Sequence, residues 1–134
     1  MGAVFTDAFT RANVRFPVTP MDALPTGHCL VLVTPDAERT MHTVLGASVT
    51  TDTADIDAAL LADTGLLFGE GYLWDSPSAR AAFLAAANGV RQAGGKVAFS
   101  LADGLRVKRH HADFMALLNS HIDIRLATVC KITP

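Results

Sequence analysis

Leu66-Leu67-Phe68-Gly69-Glu70-Gly71-Tyr72, Ser76-Pro77 with an alanine-rich run to Ala93, and then Lys96-Val97-Ala98-Phe99-Ser100-Leu101-Ala102-Asp103-Gly104 form the stretch that decides the fold. Leu66-Leu67-Phe68 opens a strand that ends near Glu70-Gly71-Tyr72. Ser76 followed by Pro77 is a strong helix start: a hydroxyl cap, then a proline in the first turn, where its missing N–H costs nothing. Phe83, Ala86, Ala87 and Val90 recur at helical spacing, and Gly94-Gly95 ends the helix. Lys96 to Ala102 is a second strand, stopping at Asp103-Gly104. A further helix is expected around Lys108 to Ser120, with Phe114, Leu117 and Leu118 inward, and a last strand near Ile122. Strand, helix, strand, helix, strand at these lengths is a βαβαβ unit of the α/β class. The strands are near-continuous apolar runs, which fits a parallel sheet covered by helices on both faces and joined by right-handed crossovers.

Upstream of this unit the pattern changes. A helix is expected from about residue 53 to 65, with Thr53 as cap, Asp55 and Asp57 at its positive end, Gly65 at its stop and Ile56, Leu60 and Leu61 on its apolar face. Before it, His28-Cys29-Leu30-Val31-Leu32-Val33-Thr34 is apolar and β-branched, Pro35-Asp36-Ala37-Glu38 has turn chemistry, and Arg39-Thr40-Met41-His42-Thr43-Val44 returns. This is an antiparallel hairpin, and it fits equally a flap outside the main sheet or an antiparallel edge of it. Leu45-Gly46-Ala47-Ser48 is a small-residue junction. A short extended piece, Arg15 to Val18, precedes the hairpin. The first segment is a helix with Phe5, Ala8, Phe9 and Ala12 on one stripe and no capping residue ahead of it.

The 134 residues are half hydrophobic and 18% charged, with a formal net charge of −2. That balance suits one domain with a sizeable core and argues against a mainly electrostatic nucleic-acid or membrane-surface binder. Two distant cysteines, Cys29 and Cys130, make no disulfide framework, so a reducing, cytoplasmic setting is expected. No apolar run reaches transmembrane length, and no signal peptide is visible.

In open parallel sheets, ligands bind beyond the C-terminal ends of the strands. Glu70, Gly71, Tyr72 and Asp75 stand at one such end and Asp103 at another. Carboxylates there can hold sugar hydroxyls or work around a metal; they can equally be solvated or cap helices, and spacing alone leaves both open. Adjacent histidines on a helix diverge, so His110-His111 is taken as part of a solvated basic face with Arg106, Lys108 and Arg109. No CxxC pair supports a zinc site, and no metal ligand is assigned. No GxxxxGK[ST], GxGxxG or GxSxG run is present.

Pro25-Thr26-Gly27-His28-Cys29-Leu30-Val31-Leu32-Val33-Thr34-Pro35-Asp36-Ala37-Glu38-Arg39-Thr40-Met41, followed by Leu45-Gly46-Ala47, resembles the lid of PfkB-type (ribokinase-superfamily) carbohydrate kinases, most of all bacterial adenosine or sugar kinases. Glu70-Gly71-Tyr72-Leu73-Trp74-Asp75 and Ser100-Leu101-Ala102-Asp103 match the same group in order and spacing. The similarity runs from about residue 2 to 124. It implies a partial ribokinase-like fold in a single domain over residues 1–134, with a β lid at about 14–47. It implies a sugar or nucleoside substrate, ATP as phosphoryl donor and Mg²⁺ on the phosphates. By the same resemblance, lid residues from Arg39 to Thr43 and the Leu45-Gly46-Ala47 turn line the sugar side, Glu70 and Tyr72 face the pocket, and Asp103 marks the second strand end. Lids in this family can pair between subunits, so a non-enzymatic module that dimerises through the hairpin is the alternative expectation.

The departures also carry meaning. The family's opening glycine-rich strand, its Asn-x-x-Glu motif and its Gly-Ala-Gly-Asp loop, which supplies the anion hole and the catalytic base, have no counterpart in these residues. No catalytic residue is therefore assigned. After Ile124 the likeness stops, and residues 125–134 are expected to be an atypical tail, introduced by a frameshift or a premature stop. A sheet cut at that side is expected to be marginally stable or to self-associate.

Overall fold

The computed structural model describes residues 2–18 and 20–127, and the chain divides into two compact units, Met1–Thr50 and Thr51–Pro134.

In the first unit, α1 (Gly2–Arg11) ends where Asn13 turns to a positive φ of 54°, a conformation that asparagine tolerates at helix stops. Phe9 packs on Phe16 with ring centroids 5.1 Å apart, while Phe5 of the expected stripe is exposed. Strands β1 (His28–Val33) and β2 (Arg39–Val44) pair antiparallel, His28 opposite Val44 and Val33 opposite Arg39. The turn between them is held by Asp36: its Oδ1 accepts from the Glu38 N–H at 3.3 Å and from the Thr34 hydroxyl. The hairpin forms its own two-stranded sheet. Of the two placements open to it from sequence, it takes the one outside the main sheet. A 3₁₀ turn, Gly46–Thr50, follows.

In the second unit, the helix expected at 53–65 is two short pieces, a 3₁₀ turn (Thr53–Asp55) and α2 (Ala58–Ala62). Thr53 does not cap. Asp52 caps the first piece and Asp57 the second, because Ile56 is extended and separates two starts that each need an acceptor. Then come β3 (Leu66–Glu70), a 3₁₀ turn (Gly71–Leu73), α3 (Pro77–Gln92) and β4 (Lys96–Ser100). The Ser76 hydroxyl accepts from the Ala79 N–H, and Gly94, at a φ of 88°, closes the end of α3. The single helix expected near Lys108 to Ser120 is instead α4 (Gly104–Arg109) and α5 (His111–Ser120). Asp103 caps the Arg106 N–H, which starts helix four residues early. His110, at φ −114° and ψ 29°, leaves the helical region and splits the two. Strand β5 (Ile124–Leu126) follows and includes Arg125 and Leu126 of the expected tail; residues 128–134, with Cys130, lie outside the described residues.

The sheet runs β3-β4-β5, all parallel. Asp123 sets the register of β5: its Oδ2 accepts from the Val97 N–H at 2.8 Å, and its own N–H donates to the Val97 carbonyl at 2.9 Å. On one face Val97, Phe99 and Leu101 of the β4 segment meet Ala87 of α3 and Phe114 and Leu117 of α5, with Trp74 and Ile122 completing the cluster. Ala79, Ala82, Ala86, Ala87 and Val90 are buried along α3, and this 3-4-3 stripe of mostly methyl groups lets the helix lie close to its neighbours. Two successive crossovers of one hand, stepping the same way across the sheet, place both helices on the same side. Cover for the second face, where Leu66, Phe68, Ile124 and Leu126 are exposed, therefore does not come from α3 or α5.

Candidate functional site at the strand ends and the hairpin

The C-terminal ends of β3 and β4 lead into two turns, Gly71–Ser76 and Leu101–Asp103. Glu70, the last residue of β3, is exposed and makes no capping bond to the turn that follows. Tyr72 is exposed, with the Arg106 guanidinium 5.5 Å from its ring centroid and the Arg106 Nε–H donating to its carbonyl at 3.1 Å. Asp103 is the N-cap of α4: Oδ1 accepts from the Arg106 N–H at 2.9 Å and Oδ2 pairs with Arg106 Nη1. Asp103 thus caps a helix, one of the readings open to the strand-end carboxylates. Its carboxyl is held below the ordinary value, first by the Arg106 backbone N–H and then by the Arg106 side chain.

Asp75 gathers more partners than its position before Ser76 suggests. Arg109 Nη1 donates to both of its oxygens at 2.9 Å, His110 Nε2 lies 2.6 Å from Oδ1, and Arg106 Nε is 3.9 Å from Oδ2. His110 reaches Asp113 at 3.9 Å, and Asp113 pairs with Arg80 at 2.8 Å. The expectation of a solvated basic face is thus corrected at two residues, Arg106 and His110. Arg106 and His110 are half-buried against Asp103 and Asp75, His110 from the break between α4 and α5, while Arg109 pairs with Asp75 and stays exposed. Sequence spacing could have given one signal for this network, Asp103 and Arg106 three residues apart; the Asp75 pairs span 31 to 35 residues and leave no local trace.

The His110 contact, then Arg109, lowers the Asp75 carboxyl below its ordinary 3.8. A depressed folded-state value means that the contribution is present above the unfolded value and is lost as pH falls through the folded one. The second unit should therefore lose stability below about pH 4, by no more than about 1 kcal/mol from this half-exposed group. Urea melts from pH 6 to pH 2.5 check this: Asp75→Asn should flatten the acid limb, and an acid limb as steep as the parent's assigns it to other carboxylates.

In the first unit the hairpin carries the other sequence-predicted residues. Arg39 opens β2 and is exposed. The Thr43 hydroxyl lies 3.2 Å from the Sγ of its cross-strand partner Cys29, a free, exposed thiol. Gly46, at a φ of 55°, and Ala47 are half-buried; the Ala47 N–H donates to the Pro25 carbonyl at 2.9 Å and folds the junction against Pro25–Gly27. The structure thus brings Glu70, Tyr72 and Asp103 to one end of the parallel sheet, and Thr43, Gly46 and Ala47 to the hairpin and its exit. Among the described residues, no three His, Cys, Asp or Glu side chains converge as a metal site requires, so no step through Mg²⁺ is derived for this chain. No helix among them is long and apolar enough to cross a membrane.

No protein-family model matches the chain, and no curated protein matches it. Solved structures do. The "probable sugar kinase protein" of Rhizobium etli CFN 42 is 36% identical over 92% of this chain, with a TM-score of 0.85. The adenosine kinase of Sinorhizobium meliloti is 35% identical over 92%, also at 0.85. A PfkB protein from Polaromonas sp. JS666, at 19% identity over 93% and a TM-score of 0.78, shares the fold. The chain spans 38% of the length of the first two and 45% of the third. Over 92–93% of its length the chain, hairpin and parallel βαβαβ sheet alike, has the fold of one part of these PfkB, ribokinase-like proteins.

Proposed function

We propose that this chain is the substrate-holding part of a kinase that transfers the γ-phosphate of ATP to a hydroxyl of a sugar or a nucleoside, and that alone it binds without turning over. The observation that carries the proposal is the 35–36% identity, over 92% of the chain, to a sugar kinase and an adenosine kinase. In this assignment Arg39, Thr43, Gly46 and Ala47 of the first unit and Glu70, Tyr72 and Asp103 of the second are substrate-binding residues. An exposed carboxylate such as Glu70 accepts hydrogen bonds from sugar hydroxyls, and an exposed aromatic such as Tyr72 offers a face to a sugar ring or a base. ATP and Mg²⁺ supply the transferable phosphoryl group and shield its charge. Phosphoryl transfer depends on orientation and charge stabilisation. The 134 residues contain no Gly-Ala-Gly-Asp run and no Asn-x-x-Glu to provide them.

Titration with ribose, fructose and adenosine, followed by amide shifts, should show weak saturable binding to at least one. A coupled ADP-release assay on the same preparation should stay at background. Steady ATP-dependent product overturns the inactivity; failure of all three ligands to shift any amide overturns the substrate role.

A further inference from the structure

Tyr72 sits in a turn closed by the Trp74 N–H on the Gly71 carbonyl at 3.2 Å. The Gly71–Leu73 turn has an N-cap, Glu70, that makes no side-chain capping bond, and the Tyr72 ring is exposed. One side chain nevertheless contacts both ends of this residue: Arg106 donates to the Tyr72 carbonyl at 3.1 Å and lays its guanidinium 5.5 Å from the ring centroid. The same guanidinium pairs with Asp103 at the end of β4 and lies 3.9 Å from Asp75 at the start of α3. Arg106 is itself located by the Asp103 cap, which takes its backbone N–H at 2.9 Å. A planar fork can serve a carbonyl, a carboxylate and an aromatic face together, and an ammonium cannot.

We propose that Arg106 is a positioning residue: it fixes Tyr72 and the Gly71–Leu73 turn against the β4 end, and so sets the rim that a sugar or a base would meet. For its ligand the inference rests on the proposed function above; for its geometry it does not. Tyr72 is the chain's one tyrosine and Trp74 its one tryptophan, so each can be followed without ambiguity. The experiment compares the 134-residue chain with Arg106→Gln and Arg106→Lys. Three readouts apply: the Tyr72 ring-proton resonances, the affinity for ribose and adenosine, and the near-UV signal of Trp74 during melting.

Both variants should move the Tyr72 resonances and weaken binding about five- to tenfold, with melting within about 3 °C of the parent. Arg106→Lys should fail to restore either readout, which separates a fork that positions from a charge that merely attracts; it also carries the test if the glutamine variant does not fold. Unmoved Tyr72 resonances, or unchanged affinity despite moved resonances, overturn the inference. A parent chain that binds neither ribose nor adenosine overturns the proposed function and Arg106's role toward a ligand. The Tyr72 resonances then judge the clamp alone.

Discussion

Phe99→Ala should remove about 3–5 kcal/mol from the Thr51–Pro134 unit, the largest loss expected of any single truncation in it. Phe99 is fully buried on the central strand. Its ring centroid lies 5.6 Å from Trp74, 5.2 Å from Phe83 and 5.7 Å from Phe114. Those three partners belong to three different segments: the turn after β3, helix α3 and helix α5. Removing the ring takes away transfer free energy and leaves a cavity whose walls are rings anchored on separate elements, so the site cannot collapse cheaply. Small domains hold only about 5–15 kcal/mol in total, so the variant should be unfolded or close to its midpoint at ambient temperature. Phe68→Ala is the control: Phe68 is 54% exposed on the other face of the sheet, and its loss should cost less than about 1 kcal/mol. Urea unfolding followed by Trp74 fluorescence distinguishes the two. A Phe99→Ala midpoint near the parent's would mean that the aromatic cluster is not what holds the unit together.

Local chemistry carried much of the architecture. Ser76-Pro77 starts α3 because a cap and a fixed φ need nothing from elsewhere in the chain. The positive φ at Gly94 ends it for an equally local reason. The apolar run Val97-Ala98-Phe99 is buried because β4 is the central strand, hydrogen-bonded on both edges. Where two adjacent residues compete for one role, spacing gives no decision. Asp52, Thr53, Asp55 and Asp57 are all competent caps, and Asp52 and Asp57 were selected by the extended backbone at Ile56. The break at His110 is of the same kind, since an apolar stripe continues across it through Val107, Phe114 and Leu117. The candidate site is less legible still. Asp103 is visible as a carboxylate at a strand end, but its engagement with Arg106 as cap and ion pair is a three-dimensional fact. Asp75 and His110 meet across 35 residues, a distance over which no periodicity reports. Reading the hairpin as a lid rests on the resemblance to sugar and adenosine kinases, since no local pattern marks it as one.

Gly46→Ala should be the most damaging small substitution in the Met1–Thr50 unit, and it tests the lid side of the proposed site. Gly46 has a φ of 55°, and a Cβ built on it would stand 2.1 Å from the Pro25 carbonyl oxygen and 2.9 Å from the Gly27 nitrogen. Both obstacles are backbone atoms, so no rotamer change relieves the contact. The Pro25 carbonyl is, moreover, the acceptor for the Ala47 N–H at 2.9 Å, so pushing it away also breaks the bond that folds the junction. The left-handed conformation alone costs alanine about 1 kcal/mol, and with the collision the total should reach about 2–4 kcal/mol. No residue of α1, β1 or β2 is buried, so this unit has little apolar burial with which to absorb that loss. Hydrogen exchange should show the β1 and β2 amides losing protection while those of α3 and β4 keep theirs, and affinity for the sugar or nucleoside should fall with the hairpin. Gly65→Ala, where an added Cβ meets nothing within 4 Å, should change neither. If Gly46→Ala leaves hairpin protection intact but abolishes binding, the turn contacts the ligand directly. If protection and affinity both survive, the Leu45-Gly46-Ala47 turn has no part in the lid, and the substrate side must be sought at the strand ends alone.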